Sequence, residues 1–383
     1  MILLRVTIFF LLLLLLPDWY IYKTYLKPLG RKSWNRLWWT PTVLLLAALA
    51  AFLIGGEALH SYLGVYLVTV ICISVPKAFF ALLAWPVRLL RKRFTSSPIE
   101  IPGLCIPCLL LFGYLLFGAI KGKEHFQVRE VTFSSPDLPE AFDGYRVLQI
   151  SDLHVGSWKG NATAMQRAID LCNAQQADLA VFTGDLVNSR ASEMEEFIPV
   201  LSQLHAKDGV YSVLGNHDYA TYVKWNSEAE RLANIDTLIA RQNGMGWQML
   251  MNEHVNLYRG NDSIALVGVE NSGNPPFPNK GDLPKAMKGT EGMFKVLLSH
   301  DPTHWRREVL PKTDIQLMLA GHTHDMQFRI FGFSASRFFY PEHNGLYREG
   351  NRGLYVNIGL GYVLFPMRLG AWPEITVLTL RKE

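Results

Sequence analysis

The chain has 383 residues, 49% hydrophobic and 18% charged, with a formal net charge of +4; that length allows one large domain plus an added module. The charge is uneven: residues 1–120 carry eleven Lys/Arg against three Asp/Glu, whereas residues 121–383 carry 26 basic and 30 acidic side chains. With no basic excess in the second part to hold a phosphate backbone, nucleic-acid binding is not expected.

Residues 1–120 are dominated by apolar runs. Four of them, about 2–22, 41–58, 62–86 and 101–120, have the roughly 20 apolar residues that a membrane span needs. The first lacks a basic lead-in beyond Arg5 and a small-residue cleavage site, so it reads as a span and not as a removable signal. Trp19, Tyr20, Tyr22, Trp38, Trp39 and Trp85 cluster near the span ends, where interfacial aromatics gather. Lys23, Lys27, Arg31, Lys32 and Arg36 separate spans one and two; Arg88, Arg91, Lys92 and Arg93 separate three and four; the turn around Glu57–Ser61 has no basic residue. Basic loops stay on the cytoplasmic side. The reading is a multi-pass cell (inner) membrane protein whose N-terminus and residues from 121 onward lie outside the cytoplasm, with Lys121 and Lys123 pulling weakly the other way. Cys72, Cys105 and Cys108 fall in spans and Cys172 is alone in the second part, so no disulfide is available there. Cys105-Ile-Pro-Cys108 reads as a small-residue patch in a membrane helix.

From residue 121 the pattern is that of an α/β domain. Val147–Ile150 is an apolar run that stops at Ser151-Asp152, with His154 next. Asn161 is a plausible N-cap for a helix over 161–177. Leu179–Phe182 stops at Thr183-Gly-Asp185, and Val210–Leu214 stops at Gly215-Asn-His-Asp218. Residues 227–243 form a second helix candidate, and Ser263–Val269 another strand. Residues 271–292, rich in Gly, Pro and Lys, read equally well as a lid beside a site or as a plain connection. Val296–Leu298 stops at Ser299-His-Asp301, and Ile315–Ala320 at Gly321-His-Thr-His324. Short apolar runs ending at Gly or Asp read as buried strands. The polar clusters therefore sit at the carboxyl ends of strands, where open α/β sheets place their sites. Phe331, Phe333, Phe338, Phe339 and Tyr340 read as core packing in preference to contacts with acyl chains or a membrane surface.

The clusters supply carboxylates, imidazoles and one amide, and no thiolate. Such a set suits Mn, Fe, Zn or Co and differs from thiolate-rich structural zinc. Two such ions clamp a phosphoryl group and produce hydroxide near neutral pH. The five clusters in this order resemble the calcineurin-like metallophosphoesterase superfamily. The tail Leu354–Gly361, Pro366–Gly370 and Pro373–Thr376 is similar to its bacterial membrane-anchored YkuE/YaeI-type phosphohydrolase branch. Many of those relatives follow the last histidine with two glycines, where this chain has Asp325-Met326.

The resemblance implies a four-layer α-β-β-α sandwich over 121–383 behind an all-α membrane anchor over 1–120, and two divalent metal ions. Asp152, His154, Asp185 and His324 would hold one ion. Asp185, Asn216, His300 and His322 would hold the other, with Asp185 bridging. His217 would be the proton donor or leaving-group contact, oriented by Asp218. The expected activity is hydrolysis of a phosphomonoester or phosphodiester, with lipid-linked substrates among the candidates and the bilayer as a partner. The alternatives are a UDP-diacylglucosamine-type nucleotide-lipid pyrophosphatase, which an outside domain argues against, and a catalytically silent scaffold, which the intact ligand set argues against. His304, four residues after His300, shares a helical face with it if that stretch is helical; Arg329 and Arg368 read as phosphate ligands or as structural ion pairs. His60, His125, His205, His254 and His343 lack motif neighbours and read as surface or packing residues.

Overall fold

Long uninterrupted apolar stretches favour helices that satisfy their own backbone, and short ones favour strands that need neighbours. A computed structural model of the chain, described over residues 2–55, 60–91 and 100–383, follows that division. It separates into two compact units, Met1–Gly122 with Leu364–Met367 and Lys123–Val363 with Arg368–Glu383.

The first unit consists of α1 (Ile2–Ile21), α2 (Lys32–Gly55), α3 (His60–Arg91) and α4 (Glu100–Ile120). Four stretches are long and apolar enough to cross a membrane: Ile8–Leu29, Lys32–Gly55, Tyr62–Leu89 and Gly103–Ile120. The second helix begins nine residues before the expected span, because Pro41 lies inside it and does not end it. Proline is tolerated in such helices when neighbours cover the freed carbonyl. Residues 56–58 of the expected second span, the Glu57 turn except its final residues, and Lys92 and Arg93 lie outside the described residues. Leu14, Leu45, Tyr66 and Val70 form one buried cluster. Ile21, Phe80 and Ala84 form another, against which Cys105 and Cys108 pack as free thiols. Asp18 is buried among these helices. Its carboxylate lies 2.8 Å from Lys77 Nζ and accepts from the Thr42 hydroxyl, while its carbonyl accepts from Trp38 Nε1 at 3.2 Å. A lone carboxylate in hydrocarbon is costly, and here two other helices supply its partners.

The second unit is built on twelve strands. They are β1 (Gln127–Ser135), β2 (Arg146–Ile150), β3 (Leu179–Phe182), β4 (Val210–Ser212), β5 (Trp247–Met249), β6 (Glu253–Arg259), β7 (Asp262–Gly268), β8 (Phe294–Leu298), β9 (Leu317–Ala320), β10 (Gly345–Glu349), β11 (Arg352–Val356) and β12 (Glu374–Lys382). One six-stranded sheet has the order β1-β12-β2-β3-β4-β5 and the other β10-β11-β9-β8-β7-β6. Strands β2 to β5 run parallel, as do β7, β8, β9 and β11. The last strand, β12, enters between β1 and β2, parallel to the first and antiparallel to the second.

Period-two burial explains the layering. Val147, Leu179, Val181 and Tyr211 of one sheet meet Leu266, Val296, Leu298 and Leu319 of the other in one core. The alternate residues Leu148, Ile150, Ala180 and Phe182 pack against the helices Ala162–Asn173 and Glu228–Gly244. Leu297 and Met318 pack against Trp305, Val309, Leu283 and Ala286 on the far side. The result is the four-layer α-β-β-α sandwich. Both helices start where the sequence indicates: Asn161 accepts from Ala164 N at 3.3 Å, and Ser227 from Glu230 N at 3.1 Å.

Candidate metal centre

Parallel neighbours end at the same level, so their carboxyl-terminal loops converge. The loops after β2, β3, β4, β8 and β9 carry Asp152 and His154, Asp185, Asn216, His300, and His322 and His324 respectively. Close approach dictates the glycines between them. A Cβ on Gly215 would strike the Asp185 carboxylate, and one on Gly321 would strike Ser151 and Asp152. Five of the seven candidate ligands hold left-handed backbone: Asp152 (φ 52°), His154 (45°), Asp185 (62°), His322 (76°) and His324 (48°). Each costs on the order of 1 kcal/mol in a non-glycine residue, so the loops are held in shape against local preference.

All seven candidates come together. His154 Nε2 lies 3.0 Å from His324 Nε2, and His324 Nε2 is 3.3 Å from Asp152 Oδ1. On the other side, His322 Nδ1 lies 3.3 Å from His300 Nε2, which is 3.2 Å from Asn216 Oδ1. Asp185 Oδ2 stands between the groups, 3.7 Å from His154 Nε2 and 3.2 Å from His300 Nε2. Asp152, His154 and His324 form one grouping with cation-binding spacing, and Asp185, His300 and His322 another. Imidazole nitrogens thus face one another within each group, beside carboxylate oxygens. A divalent cation in each group fits that donor set.

The charges follow from the crowding. Burial works to raise the Asp185 carboxyl, but the imidazoles of His300 and His217 carry it well below the usual range. Burial works to lower His300, and the carboxylates of Asp185 and Asp152 reverse this, taking it up to about 10. Burial pushes His154 down to about 3 and His322 to about 4. Most of the imidazoles thus offer lone pairs, while a cation must displace the proton on His300.

His217 sits at the edge of the cluster, partly exposed. Its ring meets His154 edge-on at 4.7 Å and stacks on Tyr222 at 4.2 Å. Asp218 does not orient it. The Asp218 carboxylate accepts from the backbone N–H groups of Asp185, Leu186, Val187 and Gly215 at 2.9–3.2 Å, and so clamps two of the ligand loops together. The tight turn His217–Tyr219 sends these adjacent side chains in different directions. The atom facing His217 Nδ1 is Asn188 O at 2.8 Å.

The surrounding contacts were not legible as motifs. Arg368, expected as a phosphate ligand or an ion pair, is neither. It is fully buried, lies 3.0 Å from His324 Nδ1, and donates to the carbonyls of Ile358, Gly361 and Ala371. Arg329 pairs with Asp325 at 2.6 Å. His304 is buried against Ser299 Oγ at 2.9 Å. Asp301, named in its cluster without a role, is buried with Oδ2 lacking a hydrogen bond and 3.9 Å from His322 Nε2; Tyr340 OH is 2.8 Å from that same nitrogen. In the 271–292 stretch, Phe277 meets His322 edge-on at 4.8 Å, while Leu283 and Ala286 pack on the second sheet. The stretch is thus part site wall and part structural connection. His205, His254 and His343 bond to nearby carbonyls, and His125 packs edge-on against Trp372; the side chain of His60 lies outside the described residues.

Asp325 and Met326 also adopt left-handed backbone, with φ of 48° and 51°. Glycine fits such positions without strain. Here the Asp325–Arg329 pair and the Ser334 hydroxyl, donating to Asp325 O at 2.8 Å, hold the turn instead.

Residues 145–326 match the family described as Calcineurin-like phosphoesterase, and residues 4–123 the one described as Probable Calcineurin-like phosphoesterase, transmembrane domain. The chain is similar to a "Transmembrane protein with metallophosphoesterase domain" from Danio rerio, 31% identical over 70% of this chain and 60% of that protein. A Bos taurus protein of the same description is 32% identical over 64% of this chain and 54% of its own length. The chain thus spans little more than half the length of these two relatives. Metallophosphoesterase YkuE of Bacillus subtilis (strain 168) is 29% identical over 71% of this chain and 95% of its own.

Proposed function

We propose, from the premise that this chain belongs to the calcineurin-like phosphoesterases, that it hydrolyses a phosphomonoester or phosphodiester at its seven-donor cluster. The observation that carries the reading is Asp185, whose carboxylate lies within 3.7 Å of one imidazole group and 3.2 Å of the other. Asp152, His154, Asp185 and His324 would hold one divalent cation, and Asp185, Asn216, His300 and His322 the second. Such a pair, when bound, neutralises phosphoryl charge and lowers the pKa of water.

The remaining work falls to the chain's own groups. His217, steadied by Asn188 and Tyr222, presents its other nitrogen toward the cluster and hands a proton to the leaving oxygen. Asp218 keeps the Asp185 and Asn216 loops in register. Tyr340 and Arg368 fix the rings of His322 and His324, the kind of outer support that metal-ligating imidazoles use. Residues 1–120 serve as a membrane anchor and 121–383 as the catalytic unit. The basic loops favour an extracytoplasmic site in the cell membrane, which favours a substrate reachable from outside, lipid-linked esters included, over a cytosolic nucleotide-activated lipid.

The full chain in detergent should release p-nitrophenol from an aryl phosphate or phosphodiester with Mn added, and should lose that activity with chelator. Asp185→Ala should abolish it; full activity in that variant sinks the reading. For orientation, a C-terminal alkaline phosphatase fusion should be active and a green fluorescent protein fusion dark. The reverse pattern moves the site to the cytosolic side and revives the nucleotide-lipid alternative.

A further inference from the structure

After the last candidate ligand, Asp325 is buried and paired with Arg329; the segment 326–340 then adds Arg337 and no acidic side chain of its own. Its aromatics do not form core, contrary to the sequence reading. Phe331 is 105% exposed, Phe338 74% and Phe339 66%, and Ile330 and Phe333 stand out beside them. Of the twelve large apolar side chains exposed over residues 121–383, six lie between Met326 and Phe339. Isolated apolar residues on a surface need no explanation, but a contiguous group does.

The backbone holds the group outward. Ile330 and Phe333 exchange two backbone hydrogen bonds of 2.9 and 3.0 Å. They close a two-residue turn with Phe331 at φ 50° and Gly332 at φ 80°. Such a turn favours Asn or Asp ahead of glycine, so Phe331 stands at the apex against backbone preference and with nothing from its own chain to cover it. Ser336 N donates to Ser334 Oγ at 3.2 Å, and the rings of Phe333 and Phe338 touch edge-on at 5.7 Å. Arg337 lies 5.6 Å over Phe333. The segment ends on Tyr340, which reaches His322.

We propose that residues 330–339 are a bilayer-inserting face that seats the metal centre against a membrane surface, so that its substrate is a phosphoester carried by a lipid. The substrate clause rests on the phosphoesterase reading; the membrane face does not. Exposed aromatics with arginine and no carboxylate match the interfacial zone of a bilayer and its anionic headgroups. The bilayer is also the apolar phase always at hand. Only residues 121–126 separate the end of α4 from β1, roughly 20 Å when fully extended.

The test uses the full chain with Cys72, Cys105, Cys108 and Cys172 replaced by alanine, reconstituted in phosphatidylcholine–phosphatidylglycerol bilayers. A fluorophore on Phe331→Cys should be quenched by more than half by shallow spin-labelled lipid; one on Tyr258→Cys, exposed on β6, should respond to aqueous iodide only. Iodide quenching of both sites overturns the proposal. Protection of residue 331 from iodide without lipid quenching assigns the face to a protein partner and also overturns it. Replacing Phe331, Phe338 and Phe339 by serine should slow a diacylglycerol-linked p-nitrophenyl phosphodiester about tenfold and leave p-nitrophenyl phosphate unchanged. Equal loss on both substrates overturns the proposal. If the wild-type chain turns over neither substrate, the phosphoesterase reading has failed and the quenching still decides the membrane face.

Discussion

The helical unit and the α/β unit differ in how many buried charged groups they hold and in how those groups are arranged. Among the described residues of the four long helices, the buried polar side chains are Asp18, Thr42 and Ser74, and Asp18 is closed off by Lys77 and Thr42. In the α/β unit, Asp152, His154, Asp185, Asn216, His300, His322 and His324 gather in one loop layer, with imidazole nitrogens facing one another and His300 against the Asp185 carboxylate. Hydrocarbon penalises an open polar group, so the anchor carries few and pairs the charged one. A domain with apolar layers on both sides of its sheets sustains such a crowded polar cluster, and the proposed cations would enter there.

The contrast is sharpened most by His217. His217→Ala should cut turnover by about 10²–10⁴, as for a positioned acid–base group, with metal content per chain unchanged. A variant that arrives metal-free would place His217 among the ligands. On the other side of the contrast, Asp18→Leu leaves Lys77 uncompensated and should destabilise the helical unit by about 3–5 kcal/mol, read as a lower thermal midpoint in detergent. Asp18→Leu with Lys77→Leu should regain most of it; an unchanged single variant breaks the argument that this pair closes the anchor.

A smaller effect concerns a polar group of the catalytic unit that is closed. Burial holds His304 down to about 4, below the ordinary 6.5, so it is neutral when folded and takes up a proton on unfolding. Its contribution is whole above pH 6.5 and is lost as pH falls toward 4, roughly 2 kcal/mol between pH 7 and 5. His304→Gln should flatten the fall in thermal midpoint over that range; an unaltered pH profile would refute the assignment. Smallest of all, Met326→Gly relieves a left-handed non-glycine residue and should stabilise the catalytic unit by about 1 kcal/mol. A loss of stability would mean that side-chain packing outweighs backbone strain there.

The convergence of the seven candidate ligands was legible because these residues sit in contiguous clusters at the ends of apolar runs, and strand geometry brings such ends together. The spans were legible from hydropathy, although α2 begins at Lys32, nine residues before the apolar run that marked it. Asp218 was not, because proximity to His217 in sequence says nothing of which way a tight turn points each side chain. Asn188, Tyr222, Asp301, Tyr340 and Arg368 carry no local pattern, since their roles arise from loops far apart in the chain. The aromatics of 331–339 look like core in composition. Only the left-handed turn at Phe331 and Gly332 puts them outside.

The position of β12 bears on synthesis. Glu374–Lys382 lies inside the first sheet, between β1 and β2, yet it is synthesised after every other strand of that sheet. At 5–20 residues per second, on the order of ten to fifty seconds pass between the emergence of β2 and that of its neighbour. The apolar helices are made well before then. The loops that carry the candidate ligands of the first sheet cannot be locked in place until β12 has emerged, so the apolar helices are available to a bilayer well before the candidate metal centre is assembled.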